Sequence, residues 1–196
     1  MINLHADYRK YRWFFTHSGK LVVGGKNAQQ NEELIHHLVK SKAAHLVMHT
    51  RAPGSPFCIL VAPISSLTKQ DYEECAIFTG CFSRAWRAGK KEALIDIFKT
   101  TQLHKEKGMN AGTWGVRQPV EHRNVMLRLA LMLQHGILRA VPEMTPAKKE
   151  VLILLCPGSI DKRDISAKLA LEQGLSFTHE EIMAALPAGG SKICRV

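Results

Sequence analysis

The stretch Tyr8-Arg9-Lys10-Tyr11-Arg12-Trp13-Phe14-Phe15, followed after a short turn by Gly24-Gly25-Lys26-Asn27-Ala28-Gln29-Gln30-Asn31-Glu32, limits the possible folds of this chain more than any other feature. Trp13 to Thr16 and Leu21 to Gly24 read as two short strands around His17-Ser18-Gly19, because aromatic and β-branched residues flank a Ser-Gly turn. Consecutive aromatics on a strand face opposite sides, so at least one of Trp13, Phe14 and Phe15 belongs to a core. From about Gln29 to Lys42 the period changes to that of a helix. Leu34, Ile35, Leu38 and Val39 share one face, with Glu32 and Glu33 in the first turn and Lys40 and Lys42 in the last. The N-terminus of that helix points back at the Gly24-Gly25-Lys26 loop.

The pattern continues. His45 to Thr50 and Phe57 to Ala62 are expected strands around Pro53-Gly54-Ser55, Asp71 to Arg87 is an expected helix, and Ala93 to Lys99 and Thr113 to Val116 are further strands. Val125 to Leu133 suits either a buried strand or a helix stopped by Gly136, and periodicity does not arbitrate. Beyond Pro142 a strand from Val151 to Leu155, a turn at Pro157-Gly158-Ser159, a helix from Asp161 to Gly174 and a last helix from Thr178 to Pro187 are expected, the last opened by a Thr178–Glu181 capping box. The result is an α+β fold: a mainly antiparallel sheet with helices on one side over residues 1–142, and a small C-terminal βαα unit over 143–196.

The chain has 196 residues, of which 45% are apolar, as a folded protein with a real core requires. No apolar run approaches the ~20 residues that span a bilayer, and the first residues do not resemble a signal peptide. No membrane partner is therefore expected, and cytoplasmic residence is. Five cysteines, widely spaced in apolar surroundings, predict reduced core thiols. The net charge of +10 is uneven: residues 1 to 125 carry 18 Lys and Arg against 10 Asp and Glu, and the rest 9 against 7. Such a local surplus favours polyanions, because each phosphate contact releases condensed counterions.

Several blocks point to one family. The opening run and its glycine loop, His49-Thr50-Arg51-Ala52-Pro53-Gly54-Ser55-Pro56-Phe57, Ser83-Arg84-Ala85-Trp86, and Lys105-Glu106-Lys107-Gly108-Met109-Asn110-Ala111-Gly112-Thr113 occur in order over about residues 8 to 120. Together they resemble the NFACT-R domain, the RNA-binding module of ribosome quality-control proteins. The chain departs from that pattern at Lys26-Asn27, where Arg-Asp is usual, and at Pro56, where His is. The resemblance implies RNA as the partner, and covers neither the coiled-coil arms nor the N-terminal domain of the complete proteins. Ribosome rescue itself is not implied.

Three constellations suit an anionic partner. Gly25, Lys26 and Asn27 before a helix start offer backbone N–H groups and a cation to a phosphate, and the amides of Gln29, Gln30 and Asn31 suit base edges or ribose hydroxyls. The plain strand-to-helix turn is the competing reading. His49, Arg51, Gly54 and Ser55 form a second candidate, against an ordinary β-turn. Arg12 is assigned to RNA contact and Trp13 to packing, and Arg84, Lys105 and Lys107 extend the basic face.

Ten histidines do not make a metal site: His45 and His49, four apart on a strand, lie roughly 13 Å from one another at ~3.3 Å per residue. No catalytic motif is present, although a Ser55–His49–Asp grouping is not excluded by spacing. The expected function is non-catalytic recognition of tRNA or ribosomal RNA, without cofactor or metal and in association with a ribosome or a tRNA-modifying enzyme. An accessory factor or enzyme of tRNA modification is the alternative, and a DNA-binding or protein-interaction module a weaker one.

Overall fold

A computed structural model of the chain describes residues 2–41, 43–118, 120–172 and 177–194. The expected helix ends at Lys42 and Gly174 lie outside the described residues. In chain order the elements are α1 (Leu4–Asp7), β1 (Arg12–Phe15), β2 (Leu21–Gly24), α2 (Ala28–Ser41), β3 (Leu46–Thr50), β4 (Cys58–Leu60), α3 (Lys69–Cys81), α4 (Arg84–Arg87) and β5 (Glu92–Lys99). There follow β6 (Leu103–His104), β7 (Gly115–Val116), β8 (Glu121–Met126), β9 (Leu129–Gln134), β10 (Ile137–Pro142), β11 (Ile153–Ile160), α5 (Lys162–Glu172), α6 (His179–Ala185) and β12 (Ser191–Cys194). The fold is α+β with antiparallel sheets.

The larger sheet has six strands in the order β1-β2-β4-β3-β5-β8. Strand alternation divides its side chains between two cores. Phe14, Val22, Met48, Cys58, Leu60, Ile95 and Ile97 face Cys75 and Phe78 of α3, while Trp13, Leu21, Val23, Val47, Ile59 and Phe98 face Leu34, Ile35 and Leu38 of α2. Helices thus cover both faces of this sheet rather than one, since each face carries large apolar side chains worth ~1.5–3 kcal/mol apiece on burial. The helix expected from Asp71 to Arg87 is two helices, because Ser83 caps a new one by accepting from Ala85 N at 3.0 Å while its own hydroxyl donates to Gly80 O at 2.7 Å.

The ambiguous stretch from Val125 is strand on either side of a break at Leu127-Arg128: its first two residues end β8, and Leu129 to Leu133 belong to β9 in another sheet. β9 leads into a β9–β10 hairpin whose two-residue loop, His135 (φ 52°) and Gly136 (φ 73°), has the twist that joins antiparallel strands. β9 pairs with β11, and β11 with β12, giving a second sheet ordered β10-β9-β11-β12. Its sheet therefore includes residues on both sides of position 142. The expected turn at Pro157-Gly158-Ser159 lies within β11 and is a bulge: Pro157 and Ile160 both oppose Ser191. Cys156 and Cys194 are paired as a disulfide with Cα atoms 6.0 Å apart, whereas Cys58, Cys75 and Cys81 are buried free thiols. The expectation of five reduced thiols is corrected by that strand pairing, which joins residues 38 apart in the chain.

The hairpin also closes the open edge of β1. The Gln134 amide donates to Phe15 O at 2.7 Å and accepts from Phe15 N at 2.8 Å, and Arg139 Nε and Nη2 donate to Trp13 O at 3.0 and 2.8 Å. An edge strand with satisfied N–H and C=O groups no longer templates association. No helix among the described residues is long and apolar enough to cross a membrane.

Candidate nucleic-acid interface

The β2–α2 turn is shaped by one buried amide. A Cβ on Gly25 would lie 2.3 Å from Asn31 Oδ1, so only glycine fits, and the same oxygen accepts from Phe57 N at 3.2 Å. Asn31 thereby ties the glycine turn to the loop before β4. Asn27 caps α2 by accepting from Gln30 N at 2.9 Å, and Gln30 accepts from Lys26 N at 2.9 Å and donates to Lys10 O at 3.3 Å. Gln29 donates to Glu33 at 3.1 Å. The amides expected to face bases are thus engaged within the chain, and Gln29 and Gln30 do not line the cleft described below.

The loop between β3 and β4 is held from within. Thr50 N donates to Ser55 Oγ at 2.9 Å, Thr50 Oγ1 donates to Ala52 O at 2.6 Å, and His49 Nδ1 lies 2.6 Å from Thr50 O with its ring 4.6 Å from that of Phe57. Burial lowers the pKa of His49, which favours its neutral form. Gly54 (φ 108°) leaves room for Arg84, whose Cδ would be 2.4 Å from a Cβ there, and Arg84 N donates to Gly54 O at 2.9 Å. The loop therefore carries Arg51 and packs through Gly54 against Arg84 of α4, while Ser55 and His49 serve as scaffold.

These pieces enclose a cleft of about 600 Å³. Arg12, Gly25, Lys26, Asn27, Asn31, His49, Arg51, Gly54, Ser55 and Arg84, which the sequence reading assigns to RNA contact, line it together with Phe57, Phe82, Asp96, Phe98 and Trp114. Among the described residues, Arg12, Lys26, Arg51 and Arg84 form no ion pair with a carboxylate. The acid in the lining, Asp96, pairs with His122 Nδ1 at 2.7 Å. Arg12 lies over the Phe82 ring at 5.0 Å, and burial lowers its pKa. Burial lowers that of Lys26 also, aided by the charges of Arg139 and Arg12. Cations above aromatic faces, next to a deep concavity, suit phosphates and stacked bases.

Two expected contacts belong elsewhere. Lys105 Nζ donates to Glu32 Oε2 at 2.8 Å and to Asn110 O and Thr113 O at 2.9 Å, so its three N–H bonds pin the 105–113 loop to α2. Although burial alone would raise the Glu32 pKa, Lys105 and the Gly112 N–H at 2.8 Å hold it below its usual value. Lys107 is exposed and lies outside the cleft lining. The residues that sequence reasoning missed are Trp114, Phe57, Phe98, Phe82 and Asp96. Trp114 directly follows a quoted block, a signal within reach; Asp96 enters only through the pairing of β5 with β3 and β8.

The Rqc2 homolog aRqcH of Methanocaldococcus jannaschii is 27% identical over 201 residues, covering 96% of this chain and 29% of that protein. A structure of the C-terminal part of the fibronectin/fibrinogen-binding protein from Streptococcus suis shares the fold, with a TM-score of 0.51 at 17% identity over 72% of this chain and 47% of that one. The chain thus spans less than a third of the one relative and about half of the other. Residues 10–118, more than half of the chain, match the family described as the NFACT protein RNA binding domain. They include every cleft-lining residue named above, and the chain belongs to that family.

Proposed function

We propose that this chain is a non-catalytic RNA-binding module with a role related to ribosome quality control, holding tRNA or ribosomal RNA in the cleft between the glycine turn, the β3–β4 loop and α4. One observation carries the reading: four cations from separate segments, Arg12, Lys26, Arg51 and Arg84, line an aromatic-rich cleft, and among the described residues none of them is in an ion pair with a carboxylate. A non-catalytic role fits the commitment of the reactive groups. His49 Nδ1 and the Ser55 hydroxyl are engaged by Thr50, and burial pushes the Cys58 thiol up to about 12. RNA as the class of partner is supported by the family, and tRNA and ribosomal RNA are the two branches that the experiment separates.

The test is salt-dependent binding by the full chain. Labelled tRNA and a ribosomal RNA fragment are titrated across a potassium chloride series, with a log-log slope of at least about −3 expected for four or so phosphate contacts. Crosslinking in cells followed by sequencing then separates the branches. Absence of salt-dependent affinity for either RNA refutes the reading, and loss of one modified nucleoside in a Ser55→Ala strain, with RNA affinity intact, moves the site to tRNA modification.

A further inference from the structure

We propose that the cleft takes an unpaired guanine of the bound RNA, whose N1–H and N2–H donors are read by the Asp96 carboxylate while neighbouring phosphates lie on Arg12, Lys26, Arg51 and Arg84. The proposal rests on the RNA-binding reading above and deepens it by naming the base.

Three strands place the acid. Alternation along β5 sends Ile95 and Ile97 to the α3 core and Phe98 to the α2 core, so Asp96 stands on the same face as Phe98. In register beside it are His49 of β3 and His122 of β8. His122 Nδ1–H donates to Asp96 Oδ1 at 2.7 Å, which fixes the carboxylate, and among the described residues no group donates to Oδ2. His49 does not compete for it through Nδ1, which is engaged by Thr50 O. With its side chain 26% exposed, Asp96 is open to a ligand, and it shares the cleft lining with Trp114 and the four cations.

An acid in a cationic cleft selects its ligand. Asp96 is in an ion pair with none of the four cations, and a carboxylate only accepts hydrogen bonds, so a phosphate at this point meets like charge. A base edge carrying donors does not. Unpaired RNA bases expose their Watson–Crick edges to protein. Uracil offers one N–H between two carbonyls there, and adenine and cytosine offer one amino group beside a ring-nitrogen acceptor that a carboxylate repels. Guanine alone presents two adjacent donors, N1–H and N2–H, and so satisfies Oδ2 and the remaining lone pair of Oδ1 together. Trp114, half-buried in the same lining, offers the base an apolar wall.

The experiment titrates the full chain with labelled oligouridylates carrying one central G, A, C or U, over a potassium chloride series and beside labelled tRNA. The G oligomer is expected to bind about ten-fold more tightly than the other three, with a common salt slope because all share their phosphates. Inosine in place of G, which lacks the N2 amino group, is expected to remove most of that advantage. Asp96→Asn, whose amide has one acceptor oxygen where the carboxylate has two, is expected to abolish it, whereas Lys26→Gln weakens all four oligomers alike. Should Asp96→Asn fail to fold, the inosine oligomer with the unaltered chain gives the answer. If the four oligomers bind equally, or tRNA binds and no oligomer does, the guanine site is overturned and the cleft reading survives. If neither tRNA nor any oligomer shows salt-dependent affinity, both fail. Preference for another base, an inosine oligomer that matches G, or a G preference that persists in Asp96→Asn overturns the proposal. Displacement of the G oligomer by an equal concentration of guanosine monophosphate reassigns the site to a free nucleotide and overturns it too.

Discussion

The two ends of β1 treat charge withdrawn from water in opposite ways. At the C-terminal end, the Asp71 carboxylate accepts from Thr16 Oγ1 and Ser18 Oγ at 2.6 Å and from Thr68 N and Oγ1 at 2.8 Å. Glu74 beside it accepts from His17 N at 2.9 Å and Thr145 Oγ1 at 2.7 Å. Both carboxylates are saturated inside the molecule and clamp the β1–β2 turn onto α3. At the N-terminal end, Arg12 lies over the Phe82 ring and Arg139 binds Trp13 O, and among the described residues neither is in an ion pair with a carboxylate. Saturated charge is a fastener; charge left without a counterion is a place for a ligand.

The deepest break of this contrast comes from structure alone. Trp86 is fully buried and its indole N–H donates to Ser191 Oγ at 3.3 Å, so Trp86→Ala is expected to cost ~3–5 kcal/mol of stability. A chemical-denaturation midpoint checks this, and RNA affinity of the folded fraction should not change. Asp71→Ala comes next, leaving four donors without an acceptor, at an expected ~2–4 kcal/mol by the same measurement and again without loss of RNA binding.

At the other end the effects should reverse. Lys26→Ala and Arg51→Ala are each expected to weaken tRNA binding by ~1 kcal/mol with an unchanged melting temperature, since phosphate contacts are made at the solvated rim. If these variants unfold the protein instead, the cations are fasteners too and the contrast collapses. The smallest effect concerns pH. Burial depresses the His49 pKa, so below ~6.5 the unfolded chain takes up a proton that the folded chain refuses. Stability from this group is thus present above ~6.5 and lost as pH falls toward the folded pKa. The Glu74 carboxyl, raised by burial, acts in the other direction, adding stability on acidification. Comparison of His49→Gln with the unaltered chain between pH 7.5 and 5 isolates the histidine: the variant should lose less stability, by under ~1 kcal/mol.

Much of the fold could be read from periodicity and turn chemistry. The alternation in Trp13-Phe14-Phe15, the helical face of Leu34, Ile35 and Leu38, and the Thr178–Glu181 capping box are local signals, and each appears in the structure as expected. The ordered blocks of a family pattern single out Arg12, Lys26, Arg51 and Arg84 segment by segment, whereas their meeting around one cleft is a product of the fold. What a linear reading could not give was partnership. Lys105 looks like any surface lysine until Glu32, 73 residues away, claims it. Gln29, Gln30 and Asn31 advertise free amides, yet two of the three find acceptors or donors in other segments once the chain is folded. Pairing of β9 with β11 joins residues 129–134 to the C-terminal strands, and the β9–β10 hairpin brings Arg139 to Trp13 O of β1. Local pattern decides which element a residue joins, because dihedral preference and side-chain period act over a few positions. Only the packed structure decides whether a charge meets its counterion within the chain or stays available to another molecule, because that depends on what distant segments place within 3 Å or so of it.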